Sequence, residues 1–247
     1  MRNFKIILEY DGAAYCGWQR QDNGISIQEV LEKTIGLITG EEITVIGSGR
    51  TDAGVHALNQ VANFQSGTRL SAEILYRGIN GLLPPDIAVK ELEEAALEFH
   101  AQHDARGKIY IYRIYNSRLR RPVGRNYFWQ INYPLDLARM EKASQYLIGR
   151  HDFSCFCATG SRVKDRVRTI TDIAFKKNET GMLEITVAAE GFLRYMVRNI
   201  VGTLVEVGGG KYPPEEVVKI IDSGDRNCAG VTAPAHGLFL KEVKYCR

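Results

Sequence analysis

Residues 47–57 read Gly-Ser-Gly-Arg-Thr-Asp-Ala-Gly-Val-His-Ala. The three glycines allow tight turns with positive φ and a close approach of the backbone to a ligand. This loop presents Arg50, Asp52 and His56 as polar groups, and an acid among glycines suits a nucleophile that must reach a crowded carbon. On composition alone, a surface turn whose Asp caps a helix explains the loop equally well. The Gly-Lys-Ser/Thr ending of a P-loop is absent, which disfavours that class of phosphate site.

The hydrophobic pattern on both sides of this loop predicts strands that alternate with helices. Strands are expected at 4–10, 43–46, 58–64 and 87–92. Helices are expected at 27–38 and 71–80. The first helix opens with a capping box from Ser26 to Glu29 and closes at Gly40.

The same rhythm returns in the second half of the chain. Strands are expected at 109–115, 169–175, 183–189 and 238–243. Helices are expected at 135–148 and 192–207, with a further one beginning at Pro213. The sequence therefore predicts two α/β halves with mixed or antiparallel sheets. The N-terminal domain covers residues 1–105 and the C-terminal domain covers residues 106–247.

Composition favours a globular, intracellular protein. The 247 residues carry a net charge of +3, so a polyanionic partner must be held by local basic clusters. Five scattered cysteines argue against a disulfide framework, and the spacing of Cys155 and Cys157 is not that of a zinc site. The N-terminus alternates like a strand, and no apolar run approaches the ~20 residues of a membrane span. We therefore expect a cytoplasmic protein with no metal and no membrane association.

Basic residues gather in two places. An arginine cluster comprises Arg118, Arg120, Arg121 and Arg125. A basic strip has a cation at every second position: Arg162, Lys164, Arg166 and Arg168. In an extended chain the strip would project to one side and could follow an RNA backbone. A solvated face is the common alternative for such charge runs.

Residues 49–56, Gly-Arg-Thr-Asp-Ala-Gly-Val-His, resemble the signature of the TruA-type tRNA pseudouridine synthases, the tRNA pseudouridine synthase A family. Other family motifs are resembled, in the family's order, by Phe99–Ala101 with Lys108–Ile114, by Met196–Gly202 and by Gly237–Leu240. The likeness spans essentially the whole chain. One departure is Gln102, which stands where the family often has Arg and removes a positive charge.

The resemblance implies an α+β pseudouridine synthase fold of two ferredoxin-like, RRM-like domains with mainly antiparallel sheets. It implies that Asp52 is the nucleophile, that Tyr110 is the active-site tyrosine, and that Arg198 pairs with Asp52. It also implies a homodimer that binds tRNA and modifies the uridines at positions 38, 39 and 40 of the anticodon stem-loop. Because isomerising uridine leaves its mass unchanged, we expect no cofactor.

The residue types fit these roles, although each has a simpler interpretation. Arg198 lies in an apolar segment where an unpaired charge is costly, and it would favour the charged form of a nearby carboxylate. It could instead lie at the exposed edge of a helix. Tyr110 and Tyr112 share one strand face, which suits stacking on an extruded uracil or a cross-strand aromatic pair. The Tyr110 hydroxyl could also move the C5 proton. We interpret His56 as a hydrogen-bonding loop residue and Arg50 as a phosphate contact or second carboxylate partner.

Two other functions remain open at this level. A non-catalytic RNA-binding module with ferredoxin-like halves would need only aromatic residues on a sheet and basic edges, but it leaves Asp52 unexplained. A small-molecule enzyme could use the glycine loop for phosphate. The missing P-loop ending and the basic strip count against that second function.

Overall fold

The computed structural model describes residues 1–246, which contain ten strands and five α-helices. In chain order the strands are β1 (Arg2–Tyr10), β2 (Val45–Gly47), β3 (His56–Ser66), β4 (Ile87–Ala95), β5 (Ala105–Asn116), β6 (Trp129–Ile131), β7 (Gly149–Asp152), β8 (Val167–Lys177), β9 (Met182–Ala189) and β10 (Leu238–Tyr245). The helices are α1 (Ile27–Thr39), α2 (Ala72–Leu82), α3 (Leu137–Gln145), α4 (Met196–Gly208) and α5 (Glu216–Ser223). None of the helices in this part of the chain combines the length and apolar character needed to cross a membrane.

The first compact unit comprises Met1–Arg106 and the segment that begins at Phe239. Its strand order is β4-β1-β3-β10, and β2 pairs with β3. All of these pairs are antiparallel except β3 with β10, which is parallel. Alternation along β1 buries Phe4 and Ile6. Helices α1 and α2 pack on each other, and Leu31 of α1 is fully buried.

The second unit comprises Gly107–Leu238. Its strand order is β5-β9-β8-β7 with antiparallel neighbours, and β6 pairs in parallel with β5. Helix α4 packs on α3 and is buried at 11 of its 13 residues, the exceptions being Arg198 and Glu206. A Cβ at Gly202 would lie 1.7 Å from the Val231 carbonyl oxygen, so a glycine is needed where this helix meets the chain that covers it.

The predicted α+β class with mainly antiparallel sheets is confirmed. The expected start of α1 is also seen, because Ser26 Oγ accepts a hydrogen bond from the Glu29 N–H at 3.2 Å. Gly40 ends the helix in the left-handed region at φ 71°. These local signals act within a few residues, which is why a sequence pattern can find them.

The structure differs from the predicted domains at the C-terminus. The expected boundary at residue 105 lies beside Arg106, where the first segment of the first unit ends. The predicted C-terminal domain, however, ran to residue 247, whereas β10 belongs with the first unit. Phe239 and Leu240 pair with His56 and Ala57 of β3, and such a distant strand partner leaves no local trace in the sequence.

Several element bounds also differ. Helix α4 begins at Met196 instead of residue 192, because Tyr195 adopts a left-handed conformation with φ 65°. Strands β6 and β7, of three and four residues, are too short to show a period and were not predicted. Helix α3 begins after Asp136, whose side chain accepts from the Arg139 N–H.

Candidate active site

Asp52 lies in the loop between β2 and β3, and its side chain is partly exposed. Just before it, the Thr51 carbonyl accepts a hydrogen bond from the Trp18 N–H at 3.1 Å. Just after it, the Val55 N–H closes a turn on the Asp52 carbonyl at 3.1 Å, and the Gly54 N–H donates to the Tyr15 carbonyl at 3.4 Å. The loop that carries the carboxylate is therefore anchored on both sides. A group that must meet a reacting atom needs such fixed placement.

Buried polar side chains tie this loop to its neighbouring strands. Thr51 Oγ1 lies 2.8 Å from Tyr10 Oη, and Ser48 Oγ donates to Gln60 Oε1 at 2.6 Å. Gln60 Nε2 in turn donates to the Gly49 carbonyl at 3.0 Å. Burial raises the pKa of Tyr10 above its ordinary value, so its hydroxyl stays protonated at neutral pH. A satisfied network of this kind makes the loop rigid.

Two glycines ahead of α1 let the chain approach the loop closely. A Cβ at Gly12 would lie 2.0 Å from the Val55 carbonyl oxygen. Gly17 has φ 106°, and a Cβ there would lie 2.6 Å from the Thr51 carbonyl oxygen. No role was predicted for Gly12 or Gly17 from the sequence. The available signal was two further glycines among aromatic residues before the helix.

Arg50 and His56 share this loop but differ in environment. Arg50 is exposed, and its role as a phosphate or carboxylate contact stays a prediction. His56 is only 1% exposed, and its Nδ1 accepts from the Gly12 N–H at 3.1 Å. The same nitrogen lies 2.9 Å from Asp11 Oδ1, to which it donates in place of accepting from Gly12 when it carries the proton, and the ring stacks on Phe239 at 4.7 Å between centroids. These contacts suit a residue that holds the loop by hydrogen bonding.

Strand β5 carries both predicted tyrosines in the second unit. Tyr112 is fully buried and its hydroxyl donates to the Pro234 carbonyl at 2.8 Å. Burial also raises the pKa of Tyr112, so this hydroxyl remains a donor. The Tyr110 ring instead meets Phe192 at 5.0 Å with the planes at 86°, where β5 approaches the segment before α4. Tyr112 therefore serves packing. Tyr110 is itself only 7% exposed, and its stacking on a base stays a prediction.

Arg198 lies in the first turn of α4 with a partly buried side chain. Its Nε donates to the Ala233 carbonyl at 2.7 Å, and its guanidinium carbon lies 4.8 Å from the centre of the Tyr195 ring. The Ala233 N–H donates back to the Arg198 carbonyl at 3.1 Å. The guanidinium is thus oriented by a backbone oxygen and an aromatic ring. A cation held in this way can keep a carboxylate charged.

His236 is a polar residue near this arginine that sequence reasoning missed. Burial lowers its pKa below the ordinary value, and the positive charge of Arg198 lowers it further despite a hydrogen bond with the Phe128 backbone. The imidazole is therefore neutral at neutral pH. The only signal in the sequence was its position directly before the motif at Gly237–Leu240.

The basic strip is not one straight strand. The chain bends at Lys164, and β8 begins at Val167, so only Arg168 of the strip lies within a strand. The bend arises because Asp165 Oδ1 accepts from the Val167 N–H, a local bond that competes with extended pairing. Arg168 Nη1 also donates to the Asp165 carbonyl at 3.1 Å. The strip is therefore not a single extended strand, and its role as a contact for an RNA backbone stays a prediction.

The arginine cluster lies in an exposed loop after β5. Arg120, Arg121 and Arg125 line an open concavity there, and Gln130 Nε2 holds the loop by donating to the Leu119 carbonyl at 2.9 Å. The chain contains no Asp or Glu between residues 105 and 135. This surface is therefore positively charged without compensation from its own segment.

The predicted site residues thus fall into two groups. Asp52, Arg50 and His56 share one loop of the first unit, whereas Tyr110 and Arg198 lie on β5 and α4 of the second. Between them the groups contain a carboxylate, an aromatic ring and an oriented cation, which are the group types that nucleophilic catalysis and base stacking use. In residues 1–246 no set of three His, Cys, Asp or Glu side chains is arranged to hold a metal ion.

Known proteins resemble this chain along its length. The sequence profile of a family described as tRNA pseudouridine synthase matches residues 6–104 and 143–246. A protein named tRNA pseudouridine synthase A from Thermoanaerobacter sp. (strain X514) is 49% identical over 245 residues, covering 99% of this chain and 100% of the relative. Proteins of the same name from Acetivibrio thermocellus and Clostridium acetobutylicum are 46% and 45% identical with the same coverage. The chain therefore belongs to the tRNA pseudouridine synthase family.

Proposed function

We propose that this protein isomerises uridine to pseudouridine in tRNA, with Asp52 as the nucleophile and without a cofactor. Membership of the family supports the reaction and its tRNA substrate. One structural observation supports the residue. Asp52 offers a partly exposed carboxylate from a loop whose neighbouring polar groups are buried and hydrogen-bonded.

The reaction exchanges one bond to the ribose for another. The bond from C1′ to N1 of uracil breaks, the base turns, and a bond from C1′ to C5 forms. C5 loses a proton and N1 gains one, so no oxidant, reductant or energy source is consumed. Asp52 attacks the nucleotide or deprotonates the sugar, and both roles require an ionised carboxylate.

The remaining residues support that carboxylate and the base. Arg198 is proposed to pair with Asp52 and to keep it charged, since a nearby cation lowers the pKa of a carboxyl group. Tyr110 is proposed to stack on the extruded uracil, and its hydroxyl can move the C5 proton. Arg50, exposed in the loop of Asp52, is proposed to contact a phosphate near the target nucleotide.

Binding of the tRNA is proposed to use the basic strip and the arginine cluster as backbone contacts. The family resemblance further suggests a cytoplasmic homodimer that acts on uridines 38, 39 and 40 of the anticodon stem-loop. We propose the N-terminal domain as the carrier of the nucleophile and the C-terminal domain as the carrier of Tyr110 and Arg198.

Release of tritium from tRNA labelled at uracil C5 tests this function. The protein alone, with no added cofactor, should release tritium from tRNA that has uridine at positions 38 to 40. A matched tRNA with other nucleotides at those positions, and with its base pairs restored, should release none. Equal release from both tRNAs would contradict the site of modification. Tight binding of both without release would instead favour a non-catalytic RNA-binding module.

A further inference from the structure

The residue before α4 has an unusual backbone conformation. Tyr195 is the single non-glycine residue between positions 1 and 246 with positive φ, at φ 65° and ψ 0°. A left-handed conformation brings Cβ close to the following carbonyl, and large side chains rarely adopt it. Gly or Asn would fit this position at lower free energy. The tyrosine side chain must therefore contribute something that these residues could not.

Helix capping and deep burial do not explain the tyrosine. Its side chain makes no capping hydrogen bond to α4, and it is only partly buried. Its ring instead contacts two cations, with the guanidinium carbons of Arg194 and Arg198 at 4.9 Å and 4.8 Å from the ring centre. Backbone strain that persists beside a candidate site points to a role in that site.

The contact with Arg198 completes a support for the guanidinium. The Ala233 carbonyl accepts from Nε at 2.7 Å, and the Tyr195 ring lies against the same group. Ala233 is itself fixed, because it is fully buried and its N–H donates to the Arg198 carbonyl. A long arginine side chain normally has many rotamers, and two such contacts reduce them before any substrate binds.

We propose that Tyr195 is a positioning residue that holds the Arg198 guanidinium in the orientation needed for catalysis, at the expense of a strained backbone. This inference rests on the proposed role of Arg198. It predicts that replacing the tyrosine by a residue that tolerates positive φ and lacks the ring will maintain or raise stability and lower activity.

Tyr195→Asn and Tyr195→Phe test the proposal. Asn tolerates the left-handed conformation and lacks the ring, so Tm should stay equal or rise while kcat falls about tenfold. The acid limb of the pH–rate profile should also move to higher pH, because a misplaced Arg198 holds the carboxylate less well in its charged form. Phe keeps the ring and should retain nearly full kcat. Tyr212→Asn removes a ring that contacts Lys211 at the far end of α4, and it should leave kcat unchanged.

Several results would overturn the inference. An unchanged kcat and pH profile in Tyr195→Asn would deny the ring any role. A loss of kcat in proportion to lost Tm would indicate a purely structural residue. A raised KM with unchanged kcat would indicate contact with RNA. Arg198→Met separates the two proposals. Full activity of Arg198→Met would contradict the proposed role of Arg198. Impaired activity of Arg198→Met beside full activity of Tyr195→Asn would contradict only the inference about Tyr195.

Discussion

Helices α1 and α4 have the same length of 13 residues but begin in opposite ways. At α1, Ser26 is extended, its side chain caps the helix, and Glu29 places an acid in the first turn. At α4, Tyr195 is left-handed, caps nothing, and Arg198 places a cation in the first turn. Acids favour the positive end of the helix dipole and cations do not, so α4 departs from the local preferences that α1 follows.

The difference corresponds to what each helix supports. The N–H of Ile27, the first residue of α1, donates to the Gly17 carbonyl. The N–H of Trp18, which follows Gly17, donates to the carbonyl of Thr51, the residue before Asp52. Helix α1 therefore anchors the loop of the proposed nucleophile from a distance. Helix α4 instead bears the proposed partner of that nucleophile on its own first turn. The local preferences are kept in the helix that serves as a scaffold and broken in the helix that carries the proposed functional group.

The largest expected effect comes from changing Asp52, whose loop is anchored by α1. Asp52→Asn should lower turnover by roughly 10³-fold or more while tRNA affinity changes little, because the neutral isostere cannot act as a nucleophile. Single-turnover tritium release and filter binding measure the two quantities. Ser26→Ala is the control, since it removes the α1 cap at a cost of about 1 kcal/mol and should leave turnover nearly intact. Turnover of Asp52→Asn within tenfold of the original protein would refute the assignment.

The next effect lies at the first turn of α4. Arg198→Met should lower activity about 10- to 100-fold at neutral pH, because the pKa of Asp52 rises and more of the carboxyl is protonated. Raising the pH deprotonates it again, so activity should partly recover in the alkaline range. Glu206→Gln changes the other residue of α4 that is not buried, and it should keep the original pH profile. A uniformly low profile with an intact fold would mean that Arg198 positions the substrate instead.

A smaller effect is expected where β5 meets the segment before α4. Tyr110→Phe keeps the ring, while Tyr110→Ala removes it, so Ala should weaken substrate binding by about 1–3 kcal/mol more than Phe. Equilibrium binding of tRNA to variants that also carry Asp52→Asn avoids turnover during the measurement. Equal binding by both variants would remove stacking from the mechanism.

The contrast between the two helix starts also explains what the sequence could predict. The Ser26 cap, the Gly40 stop and the glycine loop around Asp52 depend on neighbouring residues and were visible. The start of α4 was not, because the apolar period runs on through residues 192–195 and nothing in the sequence marks a tyrosine that will adopt positive φ. The pairing of β10 with β3 is likewise set by a distant segment. The bend in the basic strip did have a local signal in the sequence, which is Asp165. The prediction of an extended chain relied instead on the alternating cations.

Residues on both sides of the basic strip contact the segment that leads into α4. The Glu190 N–H donates to the Thr169 carbonyl, and the Ala158 N–H donates to the Arg194 carbonyl at 2.9 Å. If the first turn of α4 takes part in catalysis, the RNA backbone should pass close to the cations of the basic strip. The bend at Lys164 divides the strip into an exposed pair, Arg162 and Lys164, and a partly buried pair, Arg166 and Arg168.

The smallest expected effect comes from neutralising these pairs. Each phosphate contact releases counter-ions, so Arg166→Gln with Arg168→Gln should flatten the log–log dependence of tRNA affinity on salt by roughly 1.5. Arg162→Gln with Lys164→Gln is the matched double variant, and an equal change would mean that RNA follows the strip around the bend. Because backbone contacts carry no sequence information, neither variant should alter which uridine is modified. An unchanged slope in both would reduce the strip to a solvated face, and a changed choice of uridine would show that it recognises more than phosphate.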